Sequence, residues 1–134
     1  MAKLSYVEGI GDVYAVKLRA VGVGSTDSLL KAGSTAKGRK ELAEAAGVSE
    51  KLILEWVNHV DLFRIKGIGQ EYADLLEEAG VDTVPELAQR NPENLYEALV
   101  KTNEVKKLVR VLPSTVKVRS WITQAESLPR VVKY

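Results

Sequence analysis

The stretch VEGIGDVYAVKL, residues 7–18, returns as IKGIGQEYADLL at residues 65–76. In both, a glycine-isoleucine-glycine turn opens a segment whose apolar residues fall at helical spacing. At an offset of 58 the match spreads outward. Val7 pairs with Ile65, Gly9 with Gly67, Ile10 with Ile68, Gly11 with Gly69, Tyr14 with Tyr72, Ala15 with Ala73 and Leu18 with Leu76. Gly22 and Gly80, Val23 and Val81, and Leu29 and Leu87 continue it. The offset then becomes 65, where VSEKLILEWV (48–57) aligns with PSTVKVRSWI (113–122), setting Ser49 against Ser114 and Trp56 against Trp121. Self-similarity of this kind predicts two copies of one architecture. They are residues 1–63 and 64–134, the second lengthened by seven residues within YEALVKTNEVKKLVRVL (96–112).

Each copy reads as about five short helices, with no strand pattern. A short one near Leu4–Val7, or Leu62–Ile65, leads into the turn. The next runs from about Asp12 to Val21, or Gln70 to Ala79, and Gly22 or Gly80 ends it, where a left-handed residue is wanted. Thr26 and Thr83 are expected to cap the third helices, and Asn91-Pro92 combines a cap with a first-turn proline. In the first copy the counterpart helix runs from Ala36 to Ala46 and closes at Gly47. Ser49 and Ser114 open the last helices, Trp56 and Trp121 are expected core residues, and Pro129 ends the last helix. The expected fold class is therefore all-α, in two tandem units.

Composition narrows the chemistry. Of 134 residues, 46% are hydrophobic, enough for a core, and only 6% are aromatic, which suits packed helices. With no cysteine, disulfides, thiolate metal sites and cysteine nucleophiles are excluded, and the single His59 excludes a histidine cluster. His59, near a helix end, reads as a dipole-compensating residue. No apolar run is long enough to span a membrane, and MAKLSYVEG lacks a signal-peptide core, so a cytoplasmic protein is expected. Charges nearly cancel, 19 basic against 18 acidic, whereas strong nonspecific nucleic-acid binders carry a basic excess. They are unevenly spread. Gln70–Glu104 holds nine acidic residues against Arg90 and Lys101, and the segment after it is basic: Lys106, Lys107, Arg110, Lys117, Arg119, Arg130 and Lys133 against Glu126. No P-loop, nucleotide fingerprint or nucleophile elbow is present.

The repeated pattern, apolar-x-Gly-apolar-Gly-x-x-x-Ala-x-x-apolar, resembles the helix-hairpin-helix motif. Physically, the first glycine takes a backbone conformation that a Cβ would hinder, and the middle isoleucine plugs the core. The second glycine keeps the surface flat, and the following helix presents N–H groups and the positive end of its dipole. Ala15 and Ala73 permit close helix crossing. The resemblance implies that backbone amides of the turn hold a nucleic-acid phosphate, helped by a monovalent cation on the turn carbonyls, with no other cofactor. Carried over, the contacts fall at Gly9, Gly11, Asp12 and Val13, and at Lys66, Gly67, Gly69, Gln70 and Glu71. Lys106, Lys107, Arg110, Lys117 and Arg119 would add supporting charge. AEAAGVSEKLILEWV (43–57) reads as a second, degenerate hairpin of the first copy. Its partner LVRVLPSTVKVRSWI (108–122) has lost the glycine and gained Pro113, which has no N–H to donate.

The chain departs from DNA-binding versions of the motif just after the second glycine. Those commonly carry Pro, Lys, Arg, Ser or Thr there; here stand Asp12 and Gln70. Asp12 competes with a phosphate for the positive helix end, so the second turn, with Lys66 and neutral Gln70, is the better anion site. Glycosylases of this superfamily place a catalytic lysine two positions after the second glycine, where this chain has Val13 and Glu71. Lys66 could act as a lyase-type amine only in an activating environment that the sequence does not supply. A non-enzymatic protein is expected.

Over nearly its whole length the chain resembles the bacterial DUF4332 family, a helix-hairpin-helix-like group. The resemblance is carried by YVEGIGDVYAVKLRAVGV, by GRKELAEAAGVSEKLILEWVNHVDLFRIKGIGQEYADLLEEAGVDTVPELAQRNPENL and by the closing LPRVVKY. It implies the fold and assigns no activity. Two functions stay open at this point. One is a DNA- or RNA-binding module that grips the phosphate backbone without reading bases. The other is a protein-interaction or scaffold module using the helical surfaces and their charge asymmetry.

Overall fold

The computed structural model describes residues 2–134. It is all-helical, with no strand among the described residues. A 3-10 turn, Leu4–Tyr6, precedes α1 (Asp12–Arg19), α2 (Thr26–Ala32), α3 (Ala36–Ala46), α4 (Glu50–Leu62), α5 (Gln70–Glu78), α6 (Val84–Ala88), α7 (Pro92–Lys106) and α8 (Thr115–Ser127). The contacts divide the chain into two compact units. The first runs to Asp61 and also includes Val131–Tyr134; the second is Leu62–Arg130. The expected halves met at 63/64 and left the tail with the second; in the structure the tail joins the first.

Side-chain caps start most helices, because a first turn leaves N–H groups with no intrahelical acceptor. Thr35 caps α3, Ser49 α4, Thr83 α6, Asn91 α7 and Ser114 α8, each oxygen accepting from the amide three residues on. At α2 the cap is Ser25, not the expected Thr26. Ser25 and Ser28 form a reciprocal capping box, and Thr26 is instead the first helical residue, buried and bonded to the backbone of Ala2. Helices α1 and α5 stop two and one residues before the expected Val21 and Ala79. Their chains leave through Gly22 and Gly80, at φ +88° and +97°. In each, a backbone bond then closes the turn, Val23 to Leu18 (3.0 Å) and Val81 to Leu76 (2.8 Å).

In the first unit, Leu4, Val7, Ile10, Leu18, Ile53 and Trp56 are among the buried core. The tail completes it. Val132 is buried, Lys133 N–H donates to the Ser34 carbonyl (2.7 Å), and Tyr134 donates its hydroxyl to Asn58 Oδ1 (2.8 Å). Arg39, 6% exposed, donates from Nη1 to the Gly33 carbonyl and from Nη2 to that of Lys133, both at 2.8 Å. Its guanidinium also lies 5.7 Å from the Tyr134 ring centroid. This satisfies a buried charge that would otherwise be costly. His59 lies in the last turn of α4, the end of a helix where it was expected, and it is buried there.

In the second unit α8 packs on α6 and α7, and α5 on α7. Trp121, Ile65, Ile68, Leu76, Leu95 and Leu99 belong to one core cluster. No separate short helix precedes the second turn: α4 runs to Leu62 and the chain turns at once, so the expected five helices are not reached here. The extra residues of this half go partly into α7, 15 residues against 11 in α3, and partly into the α7–α8 loop. That loop starts at Lys107 in the left-handed region, φ +50°. Asn103 braces it, accepting from Val109 N–H (3.0 Å) and donating to the Val109 carbonyl (3.2 Å).

Candidate functional site: the two glycine-isoleucine-glycine turns

The two turns share their backbone geometry. Val7 N–H donates to the Leu4 carbonyl and Ile65 N–H to that of Leu62 (3.0 and 3.1 Å); Ile10 bonds back to Val7 and Ile68 to Ile65, both at 3.1 Å. Gly9 and Gly67 take φ +92° and +98°, where an L side chain is strained. Gly11 and Gly69 are extended, at φ −85° and −105°. Ile10 and Ile68 are buried as plugs, and Ala15 and Ala73 are buried with them.

Each turn rests on a tryptophan of its own unit. A Cβ on Gly9 would meet Trp56 Nε1 at 3.3 Å, and one on Gly67 would meet Trp121 Nε1 at 2.9 Å. The tryptophans in turn contact Tyr14 and Tyr72, at centroid distances of 5.0 and 5.2 Å. The sequence marks these tryptophans as core residues; it gives no sign that their indole edges back the first glycine. At Gly11, by contrast, a Cβ would meet nothing within 4 Å. Neither its backbone angle nor its surroundings demand glycine, so the flat surface there is not a packing requirement of the fold.

Gly11 and Gly69 are also the N-caps of α1 and α5, and as glycines they supply no side-chain acceptor. The other six helices have one. The open helix ends that could face an anion are thus the two behind the glycine-isoleucine-glycine turns.

The surroundings of the two turns differ. At the second, Gln124 grips Lys66: Lys66 N–H donates to Gln124 Oε1 (2.9 Å) and Gln124 Nε2 donates to the Lys66 carbonyl (3.1 Å). Tyr72 donates its hydroxyl to the Val111 carbonyl (2.9 Å), and the Lys117 ammonium lies 6.0 Å from the Tyr72 ring centroid. The contact series Gly67–Trp121–Tyr72–Lys117 ties the turn to a cation of α8; the first turn has a like series, Gly9–Trp56–Tyr14–Lys17, with the Lys17 ammonium of α1 also 6.0 Å from its tyrosine ring. Lys66 and Glu71 are exposed, Gln70 half-buried. At the first turn Asp12 and Val13 are exposed, and Asp12, Val13, Val16 and Lys17 line a shallow open depression on α1.

The five C-terminal cations do not act alike. Lys106 pairs with Glu78, and Arg119 with Glu93 at 2.8 Å. These tie α7 to α5 and α8 to α7 on exposed surface, where such pairs are worth about 0–1 kcal/mol. Lys107 holds the left-handed C-cap of α7, and Arg110 is exposed in the loop after it. Lys117 is the one that the contacts connect to the second turn. Sequence reading missed Gln124 and Tyr72. Tyr72 had a signal, its match to Tyr14; Gln124 had none, because His59 occupies the matching place.

Among the described residues no group of three or more His, Cys, Asp or Glu is placed to hold a metal ion, and no helix is long and apolar enough to cross a membrane. Compared with known proteins, the chain matches no curated protein and no solved structure. A family model does match: residues 8–128, nearly the entire chain, fit the domain of unknown function DUF4332, and the chain belongs to that family.

Proposed function

We propose that this chain is a non-enzymatic module of two tandem helix-hairpin-helix units that holds the phosphate backbone of a nucleic acid without reading its sequence. Backbone amides offer the same donors whatever the bases, so the grip would be sequence-independent. The observation that carries this reading is the capping pattern. Six helices carry a side-chain acceptor at the cap, and the two that start at Gly11 and Gly69 carry none. The second turn, Gly67–Glu71 with Lys66 and Lys117, is the principal phosphate site, because Asp12 sets a carboxylate at the mouth of the first. The monovalent cation of the motif would sit on turn carbonyls, and the cytoplasm suits a cysteine-free chain.

Near-neutral charge makes the grip weak, in the range of about 10⁻⁴–10⁻⁶ M expected of nonspecific binding. Titration of labelled double- and single-stranded DNA at two salt concentrations tests the reading, with Gly69→Glu as control. Salt-dependent binding lost in Gly69→Glu supports it. Absence of binding at low salt sinks it. A second reading, a protein-interaction module, is favoured by one observation: Val13 and Val16 stand exposed on α1.

A further inference from the structure

Residues 131–134 meet the first unit as a peptide meets a receptor. The main chain of Lys133 is read twice: its N–H donates to the Ser34 carbonyl at 2.7 Å, and its carbonyl accepts from Arg39 Nη2 at 2.8 Å. Lys133 itself is exposed, so its place suits any residue that keeps the N–H. Val132 beside it is buried. Tyr134 is 57% exposed, yet its hydroxyl donates to Asn58 Oδ1 and its ring lies 5.7 Å from the Arg39 guanidinium. Main-chain bonds hold the segment, and the side chains on either side of Lys133 select it. That division of labour is how a sheet edge or groove takes an extended peptide.

The receiving side is prebuilt. Arg39 of α3 is buried, and its Nη1 is committed to the Gly33 carbonyl, which fixes where Nη2 points. Gly33 is held in turn, because a Cβ there would collide with Val57 of α4. Asn58, the next residue of α4, is buried as well. A buried guanidinium arm is costly to leave bare, so this seat demands a carbonyl. The tail that supplies it buries Val132 alone among its four residues, so it can leave without unwinding a helix.

We propose that Ser34, Arg39 and Asn58 form a peptide-binding site that the tail occupies from within. Its outside ligand is a segment of another protein with the pattern apolar–any–Tyr, which competes with the tail. Tyrosine is selected because its ring meets the cation and its hydroxyl reaches Asn58. The site lies in the first unit and does not depend on phosphate binding at the second turn.

The test is fluorescence anisotropy of a labelled peptide LPRVVKY, the sequence of residues 128–134, titrated with full-length chain. One receptor is wild type; the other carries Val132→Ser with Tyr134→Ala, which loosens its own tail, and circular dichroism checks its folding. The loosened chain binds the peptide with Kd on the order of 10⁻⁴ M, and wild type binds about a hundredfold weaker, because its tail fills the seat. If the double variant misfolds, Tyr134→Ala alone takes its place, with wild type then about tenfold weaker. A peptide with alanine in place of Tyr134, or with a methyl group on the Lys133 amide, binds roughly tenfold weaker; alanine in place of Lys133 changes affinity by less than about twofold. Arg39→Met in the loosened chain weakens binding by at least about tenfold. Gly69→Glu leaves it unchanged, so failure of phosphate binding and failure of this site are told apart. A loosened chain that ignores the peptide at millimolar concentration overturns the proposal, as does equal affinity for wild type and loosened chain, or for the two peptides that differ at Tyr134. Concentration-dependent dimers of wild type in sedimentation velocity would make a second copy's tail the occupant and overturn the assignment to another protein.

Discussion

Gln124 holds Lys66 by its backbone, accepting from the amide and donating to the carbonyl. A residue of α8 thereby fixes the turn that opens α5, across most of the second unit's sequence. The Lys66 side chain is left out of this grip, so it can point at a partner while its backbone stays fixed. Removing the amide, as in Gln124→Ala, is expected to cost about 1–2 kcal/mol. Amide hydrogen exchange should speed up first at residues 66–69. Gln124→Glu keeps the acceptor and loses the donor, so its effect should fall between the two. If exchange at the turn does not change in Gln124→Ala, the grip is incidental.

The glycines of the two turns separate folding from function. Gly67 combines φ +98° with an indole 2.9 Å from its would-be Cβ, and Gly9 combines φ +92° with 3.3 Å. Gly67→Ala should therefore destabilise by about 2–4 kcal/mol and Gly9→Ala by less, roughly 1–3 kcal/mol. Gly11→Ala should stay within about 1 kcal/mol of wild type, its slightly poorer cap offset by a less flexible unfolded chain. Urea unfolding measures all three. Each unit carries one tryptophan, so the Trp56 and Trp121 indole resonances report the damage unit by unit. Equal losses at Gly9 and Gly11 would contradict this account of the turn.

Much of this was legible in the sequence, and for local reasons. Positive-φ glycines at 9, 22, 47, 67 and 80 stand where the pattern asks for them, because only glycine takes that conformation cheaply. Asn91, Thr83, Ser49 and Ser114 cap as read, since a cap needs only its own helix. The misses are tertiary. Thr26 lost the cap to Ser25 because its hydroxyl and amide serve the N-terminal backbone. The tail joined the first unit through the Lys133 backbone on Arg39 and Ser34 and the Tyr134 hydroxyl on Asn58, contacts with residues distant in sequence that no local pattern announces. At the candidate site the turn glycines were readable. Gln124 was not, and neither was the ion pairing of Lys106 and Arg119, because each depends on a neighbour distant in sequence.

Lys107 is the single non-glycine residue with positive φ among the described residues, and it closes α7. A side chain there costs free energy that Asn103 offsets by bracing Val109. Lys107→Gly is expected to stabilise the second unit by about 0.5–1 kcal/mol. Asn103→Ala should cost roughly 1–3 kcal/mol, because Val109 is buried and its polar backbone groups lose their partner. Combining the two should recover only part of that loss. If Lys107→Gly destabilises, the lysine side chain has a role the backbone angle does not explain.

Residues Val131–Tyr134 complete the first unit. Deleting Val131–Tyr134 removes buried Val132, the carbonyl that accepts from Arg39 Nη2, and the Tyr134 hydroxyl that reaches Asn58. Arg39 keeps its bond to the Gly33 carbonyl but remains a buried cation with one arm unsatisfied. Loss of a hydrogen bond to a charged group together with a buried valine amounts to about 3–5 kcal/mol. The penalty should fall on the first unit: Trp56 should report an earlier urea transition and Trp121 an unchanged one. Arg39→Met in the truncated chain should recover part of the loss, since an apolar side chain of similar length needs no acceptor there. An unchanged Trp56 transition would mean that the tail only rests on this unit and does not complete its core.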